Sequence, residues 1–128
     1  MKTLTLAQIN KKIKAIKFPK FDLIVAIGKD GIFPASLLHH FLKLPVKVIW
    51  INYRNKNNKP IRKEPILKKP FKKIEKKKIL LVDTISKTGK TLKKAKEVLK
   101  GNKIKTFVIN GKADYSLFNY KECIEWPW

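Results

Sequence analysis

The chain has 128 residues, of which 44% are hydrophobic, so we expect one domain that buries about two thirds of its unfolded surface. No stretch of 18 apolar residues is present, and the first residues include no apolar signal region, which argues against a membrane-spanning or secreted protein. Cys123 is the single cysteine, so an intramolecular disulfide is excluded. We therefore expect a cytoplasmic protein without a membrane partner.

The formal net charge is +22, and a field of that size attracts RNA, DNA and acidic surfaces whatever the fold. Almost all of the basic residues are lysines, with Arg54 and Arg62 the only arginines, whereas recognition of bases and phosphates favours the arginine fork. The charge therefore leaves two alternatives open, nucleic-acid binding or a compositional bias toward lysine.

An amphipathic helix is predicted near the amino terminus. Thr5 and Gln8 have the spacing of a capping box. Apolar residues then recur at helical spacing, namely Leu6, Ile9, Ile13 and Ile16. We expect the helix to end near Lys17, since Pro19 follows, and its apolar side to pack on the core.

The first buried strand is predicted over residues 23–27, and a helix over about 33–42, with Pro34 tolerated in its first turn. Between them lies a turn with two glycines, which we call the glycine turn: Gly28, Lys29, Asp30 and Gly31. Its backbone N–H groups and Lys29 could bind an anion. The alternative is a plain connection between strand and helix.

A second strand is predicted over 46–52, followed by a lysine-rich segment, residues 53–78, that prolines interrupt. A loop of this length inside a compact domain is usually functional or disordered. We interpret its first half as a mobile lid with Tyr53 near the hinge, and 65–78 as irregular chain or a short strand returning to the sheet. A solvated basic excursion, which could also bind RNA, is the alternative.

Residues 79–82 are apolar and predict a strand buried on both faces, with Asp83 at its carboxyl end. Ligands of parallel sheets bind beyond that end. The segment that follows, called the phosphate turn, contains Ser86, Lys87, Thr88, Gly89, Lys90 and Thr91. With Gly89 at positive φ, the N–H groups of this turn and the helix predicted over 91–100 would bind a phosphate. The alternative is an ordinary turn between strand and helix. A P-loop is excluded, because Thr84 occupies the position of that motif's first glycine.

The carboxyl-terminal part contains a strand predicted over 105–110, after which Gly111 and Lys112 lie at the same edge of the sheet as Asp83. A short strand is predicted over 115–118. The ending, residues 123–128, contains two tryptophans, which could form a hydrophobic cap, a dimer contact or a surface that stacks on a planar ring.

These segments, in this order, resemble type I phosphoribosyltransferases, in particular their xanthine-guanine and hypoxanthine-guanine branch. The resemblance covers residues 22–128 and implies a single α/β domain over residues 1–128, with a parallel sheet flanked by helices. It also implies a small carboxyl-terminal hood, residues 112–128, and a homodimer. Such enzymes transfer 5-phosphoribose from phosphoribosyl diphosphate (PRPP) to guanine, hypoxanthine or xanthine, with Mg²⁺, and release pyrophosphate.

The resemblance also implies residue roles. The 5′-phosphate would be bound by Ser86, Lys87, Thr88, Gly89, Lys90 and Thr91. The pyrophosphate would be bound by Gly28, Lys29, Asp30 and Gly31. The base would be bound by Lys112, Cys123 and Ile124. The ribose would be bound by Asp83 and Thr84, with Asp83 also near the metal and Asp83 and Tyr53 in catalysis.

Three residues depart from the family pattern. Thr84 replaces the second of two adjacent acids, Lys87 replaces an aspartate placed near the base, and Asp30 lies where the pyrophosphate loop usually has glycine. The departures and the charge support an alternative function, that of a catalytically weakened phosphoribosyltransferase fold that senses nucleotides or binds RNA or DNA.

Overall fold

The computed structural model describes residues 1–52 and 64–128. Its helices are α1 (Leu6–Lys14), α2 (Ile32–Leu42) and α3 (Lys90–Val98). Its strands are β1 (Lys2–Thr3), β2 (Leu23–Gly28), β3 (Val46–Asn52), β4 (Ile66–Leu67), β5 (Lys78–Ser86), β6 (Lys103–Gly111), β7 (Tyr115–Phe118) and β8 (Ile124–Glu125). The proposed lid hinge, Tyr53, and residues 54–63 lie outside the described residues.

A six-stranded sheet forms the centre of the molecule, in the order β4-β3-β2-β5-β6-β7. All neighbouring strands are parallel except β4, which is antiparallel to β3. The predicted α/β fold with a parallel sheet flanked by helices is therefore confirmed. Residues 65–78 were expected to be irregular chain or a short strand that returns to the sheet. Strand β4 is that short strand.

The central strands are apolar in unbroken runs because both faces of the sheet are covered. Successive residues of β5 alternate between two cores, with Leu80 and Val82 on the face of α1 and α2, and Ile79 and Leu81 on the face of α3. All four of these side chains are fully buried. Both faces of the sheet are thereby covered beneath the turns that follow its strands.

Strand β5 is longer than predicted and continues for three residues beyond Asp83. Its pairing with β2 ends at Ala26 and Val82, whereas its pairing with β6 continues to Ser86 and Gly111. The prediction that Asp83 ends the strand was therefore wrong. Asp83 instead lies where β5 separates from β2, which opens the edge of the sheet beside it.

The two ends of the chain pair with each other, which the sequence did not indicate. Strand β1 is parallel to β8, and the Lys2 N–H donates to the Cys123 carbonyl oxygen at 2.8 Å. The Leu4 N–H donates to the Glu125 carbonyl oxygen at 3.1 Å. Helix α1 therefore begins close to the carboxyl-terminal hood. Within the described residues, no helix has the length and apolar character needed to cross a bilayer.

Candidate active site

Gly89 of the phosphate turn has the predicted positive φ and precedes a helix. Gly89 adopts a left-handed conformation, with φ of 79°, and caps the amino terminus of α3. The Lys90 N–H donates to Thr88 Oγ1 at 3.4 Å. A small cavity over the turn is lined by Ile85, Ser86, Lys87, Thr88, Gly89, Thr91 and Leu92. A helix amino terminus behind a turn of small residues is suited to bind a phosphate.

Asp83 and Thr84 connect the end of β5 to the glycine turn. The Asp83 side chain is partly buried, and its Oδ1 accepts a hydrogen bond from the Thr84 N–H at 2.8 Å. The Thr84 side chain is buried, and its hydroxyl donates to the Asp30 carbonyl oxygen at 2.7 Å. Asp83, predicted to bind ribose and metal, is thus the chain neighbour of the residue that is hydrogen-bonded to the turn predicted to bind pyrophosphate.

The glycine turn packs closely against β5. Gly31 is buried, and a Cβ atom there would lie 2.6 Å from the carbonyl oxygens of Ile27 and Val82, so only glycine fits. The peptide bond between Gly28 and Lys29 is cis. Lys29 and Asp30 are exposed, so the turn carries one ammonium and one carboxylate at the surface.

Lys112 lies next to the phosphate turn. Its N–H donates to the Ser86 carbonyl oxygen at 3.2 Å, and its side chain is exposed. The other residues predicted to bind the base lie in the hood, where Cys123 is exposed and Ile124 packs on the core beneath α1 and α2. Lys112 lines a cavity of about 500 Å³ together with Ser86. Cys123 and Ile124 line neither that cavity nor the small one over the phosphate turn.

Three aromatic rings connect the hood to α2, and sequence reasoning missed this contact. The rings of Phe33 and Trp128 are stacked with centroids 5.3 Å apart, and those of Trp126 and Trp128 are stacked at 5.6 Å. Phe33 follows the glycine turn by two residues. An aromatic residue at the start of the predicted helix was the signal in the sequence, and it did not specify Trp128 as the partner ring.

The donor set fits a metal ion that arrives with its substrate. Among the described residues, no three His, Cys, Asp or Glu side chains are grouped to hold a metal. Mg²⁺ usually retains waters and is bound through one or two carboxylates and substrate phosphates. Asp83, partly buried at the open edge of the sheet, could supply one such carboxylate.

Comparison with known proteins identifies the class. The model of the phosphoribosyl transferase domain family matches residues 4–127, so the chain belongs to that family. The purine phosphoribosyltransferase of Pyrococcus horikoshii superimposes with a TM-score of 0.82 and 30% identity, over 99% of this chain and 92% of that one. The resemblance to purine phosphoribosyltransferases of type I is thereby confirmed.

Two further structures share the fold at lower identity. A hypothetical protein from Neisseria gonorrhoeae, solved with bound ppGpp, has a TM-score of 0.77 and 23% identity, over 99% of this chain and 89% of that one. The xanthine-guanine-hypoxanthine phosphoribosyltransferase of Helicobacter pylori has a TM-score of 0.68 and 19% identity, over 98% and 89% respectively. A search of curated proteins gave no match.

Proposed function

We propose that this protein transfers 5-phosphoribose from PRPP to a 6-oxopurine base and releases pyrophosphate and a nucleoside 5′-monophosphate, as in purine salvage. The observation that carries the proposal is the hydrogen bond from Thr84 to Asp30, which joins the glycine turn to β5, the strand that contains Asp83 and leads into the phosphate turn. The match to the family over nearly the whole chain supports it.

In this proposal the backbone of the phosphate turn binds the 5′-phosphate, and the glycine turn with Lys29 binds the pyrophosphate. Asp83 binds the ribose hydroxyls and contributes to holding Mg²⁺, which would neutralise charge on the leaving pyrophosphate. Lys112 donates to the 6-oxo oxygen of the base, and Cys123 and Ile124 contact its opposite edge. Tyr53, in the segment proposed as a lid, would help to exclude water.

Positive charge develops on the ribose as the bond between its C1 atom and pyrophosphate breaks, and the purine nitrogen then supplies the electrons of the new bond. Little covalent work is left to the protein, so fixed charges and exclusion of water should provide most of the acceleration. The negative charge of the Asp83 carboxylate would stabilise this positive charge on the ribose. Lys87 has the opposite sign and cannot accept the purine proton while charged, so the proton would leave to water.

The departures predict a slow enzyme. Removal of one positioned electrostatic contact from an active site typically lowers kcat by about 10²- to 10³-fold. Here the hydroxyl of Thr84 is directed at the Asp30 carbonyl group and adds no negative charge beside Asp83. The proposed rate is therefore below that expected for a site with two adjacent carboxylates.

A second candidate is a nucleotide-sensing or RNA- or DNA-binding protein with weakened catalysis. Thr84 and Lys87 favour it, as does the net charge of +22. The Neisseria gonorrhoeae protein of the same fold, solved with bound ppGpp, supports nucleotide binding. Binding to RNA that falls steeply with salt, and that exceeds binding to generic polyanions, would favour this candidate.

The test is conversion of guanine, hypoxanthine, xanthine or adenine, each with PRPP and Mg²⁺, followed by chromatography of the nucleotide product. We expect a 6-oxopurine to be converted by the wild-type protein and most of the turnover to be lost in Asp83→Asn. Glu122→Gln, which neutralises an exposed carboxylate in the hood, is the control and should retain activity. Absence of product with every base would contradict the proposal, and retained nucleotide binding would then support the second candidate.

A further inference from the structure

A groove of about 500 Å³ lies on the α3 face of the sheet, between α3 and the end of β6. Four lysines from three parts of the chain line it, namely Lys87, Lys93, Lys96 and Lys112. We call it the lysine groove. Lys87 and Lys112 are also among the residues predicted to bind the 5′-phosphate and the base, and Lys112 begins the hood. The later hood residues Ile124 and Trp126 pack on the opposite face of the sheet.

The groove is open because α3 covers only part of its face of the sheet. Leu92, Ala95 and Leu99 of α3 are buried in the core, where the helix packs mainly on β3 and β5. Lys93 and Lys96 are three residues apart, so they share one side of the helix, and both line the groove together with Thr106 of β6. Both side chains are exposed.

The charge of the groove is mostly unneutralised. Its one acidic residue, Asp114, accepts hydrogen bonds through Oδ2 from the backbone N–H and the hydroxyl of Thr106, at 2.8 and 3.1 Å. Four lysines and one carboxylate leave a formal charge of +3. The salt bridges found within residues 1–52 and 64–128, Lys73 with Glu75 and Lys90 with Glu64, involve none of the four lysines.

An unsatisfied hydroxyl lies where the groove meets the phosphate turn. Ser86 lines both the lysine groove and the small cavity over the turn, and its side chain is 7% exposed. Its buried Oγ has no hydrogen-bond partner in the described part of the chain. Native structures seldom leave such a group unpaired, so the hydroxyl indicates a ligand or water with oxygen atoms at this junction.

We propose that the lysine groove binds an oligophosphate chain, either free or carried by a nucleotide. Ammonium groups bind phosphate as point charges and need no bidentate geometry, which suits a groove lined by lysine. No aromatic side chain is among the described residues that line it, whereas sites for single-stranded nucleic acid usually offer rings on which bases stack. A compact polyanion fits these features better than RNA or DNA.

The test is titration calorimetry with inorganic tripolyphosphate at fixed ionic strength and without Mg²⁺. The variant Lys93→Gln/Lys96→Gln removes two charges from the groove. Lys11→Gln/Lys14→Gln removes two charges at the same spacing from α1, on the other face of the sheet, and is the matched control. We expect the groove variant to bind about tenfold more weakly, which is about 1.4 kcal/mol, and the control to stay within about twofold of wild type.

Equal losses in the two variants, or no loss in either, would overturn the proposal, because binding would then depend on net charge or occur elsewhere. Guanosine monophosphate serves as a probe of the phosphate turn. The groove variant should keep its affinity for this nucleotide within about twofold of wild type, since neither substituted lysine lines the small cavity. A tenfold loss of affinity for both tripolyphosphate and guanosine monophosphate would mean that Lys93 and Lys96 act only through the net positive charge of the protein. That result would also overturn the proposal.

Binding of adenosine triphosphate distinguishes a free oligophosphate from one carried by a nucleotide. Affinity equal to that of tripolyphosphate, with the same loss in the groove variant, supports the proposal with a free oligophosphate as ligand. Tighter binding with the same loss supports it with a nucleotide as ligand. None of these measurements uses turnover. If the groove does not bind oligophosphate, the proposed enzymatic function is unaffected, and if the enzyme is inactive, the proposal for the groove is unaffected.

Discussion

The hydroxyl of Thr84 donates a hydrogen bond to the backbone carbonyl oxygen of Asp30 at 2.7 Å, so β5 is tied to the glycine turn. The N–H of the same threonine donates to Asp83 at 2.8 Å. A residue that looked, in the sequence, like the loss of a carboxylate is therefore a buried link between two parts of the proposed site. A carboxylate at this position could accept hydrogen bonds but, while ionised, could not donate to the carbonyl group.

Thr84→Val should loosen the glycine turn. The substitution keeps the shape of the side chain but leaves the Asp30 carbonyl oxygen without its donor, so we expect the free energy of unfolding to fall by about 1–2 kcal/mol. Denaturant unfolding measures this loss, and the KM for PRPP should rise in the same variant. Thr84→Ser keeps the hydroxyl and is the control. Equal stability of the valine and serine variants would show that the hydrogen bond contributes nothing.

Gly31→Ala should displace the glycine turn from β5. The new Cβ atom would lie 2.6 Å from two carbonyl oxygens, and backbone on both sides must move to relieve the contact. Overpacking of this kind typically costs about 1–3 kcal/mol, which thermal or denaturant unfolding would detect. Ser36→Ala, at an exposed position of α2, should change stability by less than about 0.5 kcal/mol. An alanine variant as stable as the wild type would contradict the close approach of the glycine turn to β5.

Lys112→Ala should weaken base binding more than PRPP binding. A hydrogen bond from a charged donor to the 6-oxo oxygen is typically worth about 1.5–3 kcal/mol, so we expect the KM for the base to rise by about ten- to a hundredfold. Steady-state kinetics with each substrate varied in turn separates the two effects. Lys105→Ala, an exposed lysine in β6, the strand that precedes Lys112, is the control. If the base KM stays unchanged, Lys112 does not read the base.

The stack of Phe33 on Trp128 should stabilise the hood. Their centroids are 5.3 Å apart and their planes differ by 5°, a stacked pair that typically contributes about 0.5–1.5 kcal/mol beyond burial. A double-mutant cycle with Phe33→Ala and Trp128→Ala should therefore show a coupling of that size in the free energy of unfolding. Strictly additive effects would mean that the two rings do not stabilise each other.

The phosphate turn is a feature that could be predicted from neighbouring residues in the sequence alone. Small and hydroxyl-bearing residues around Gly89 predicted a turn with positive φ before a helix, and Gly89 has φ of 79° at the start of α3. Short-range backbone chemistry decides such a turn, so its residues alone are sufficient evidence. The length of β5 was not predictable in the same way, because it depends on how far β6 continues to pair beside it.

By itself, then, the sequence determined the α/β class, the order of the central strands and helices along the chain, the positive φ of Gly89 and the place of the glycine turn, because apolar runs, glycines and caps act over a few residues. The tertiary structure decided the contacts between distant residues. It directed Thr84 toward Asp30, stacked Phe33 on Trp128, paired the two chain ends and left four lysines facing one groove. These contacts join residues far apart in the chain, and only the packing of the sheet and helices brings them within bonding distance.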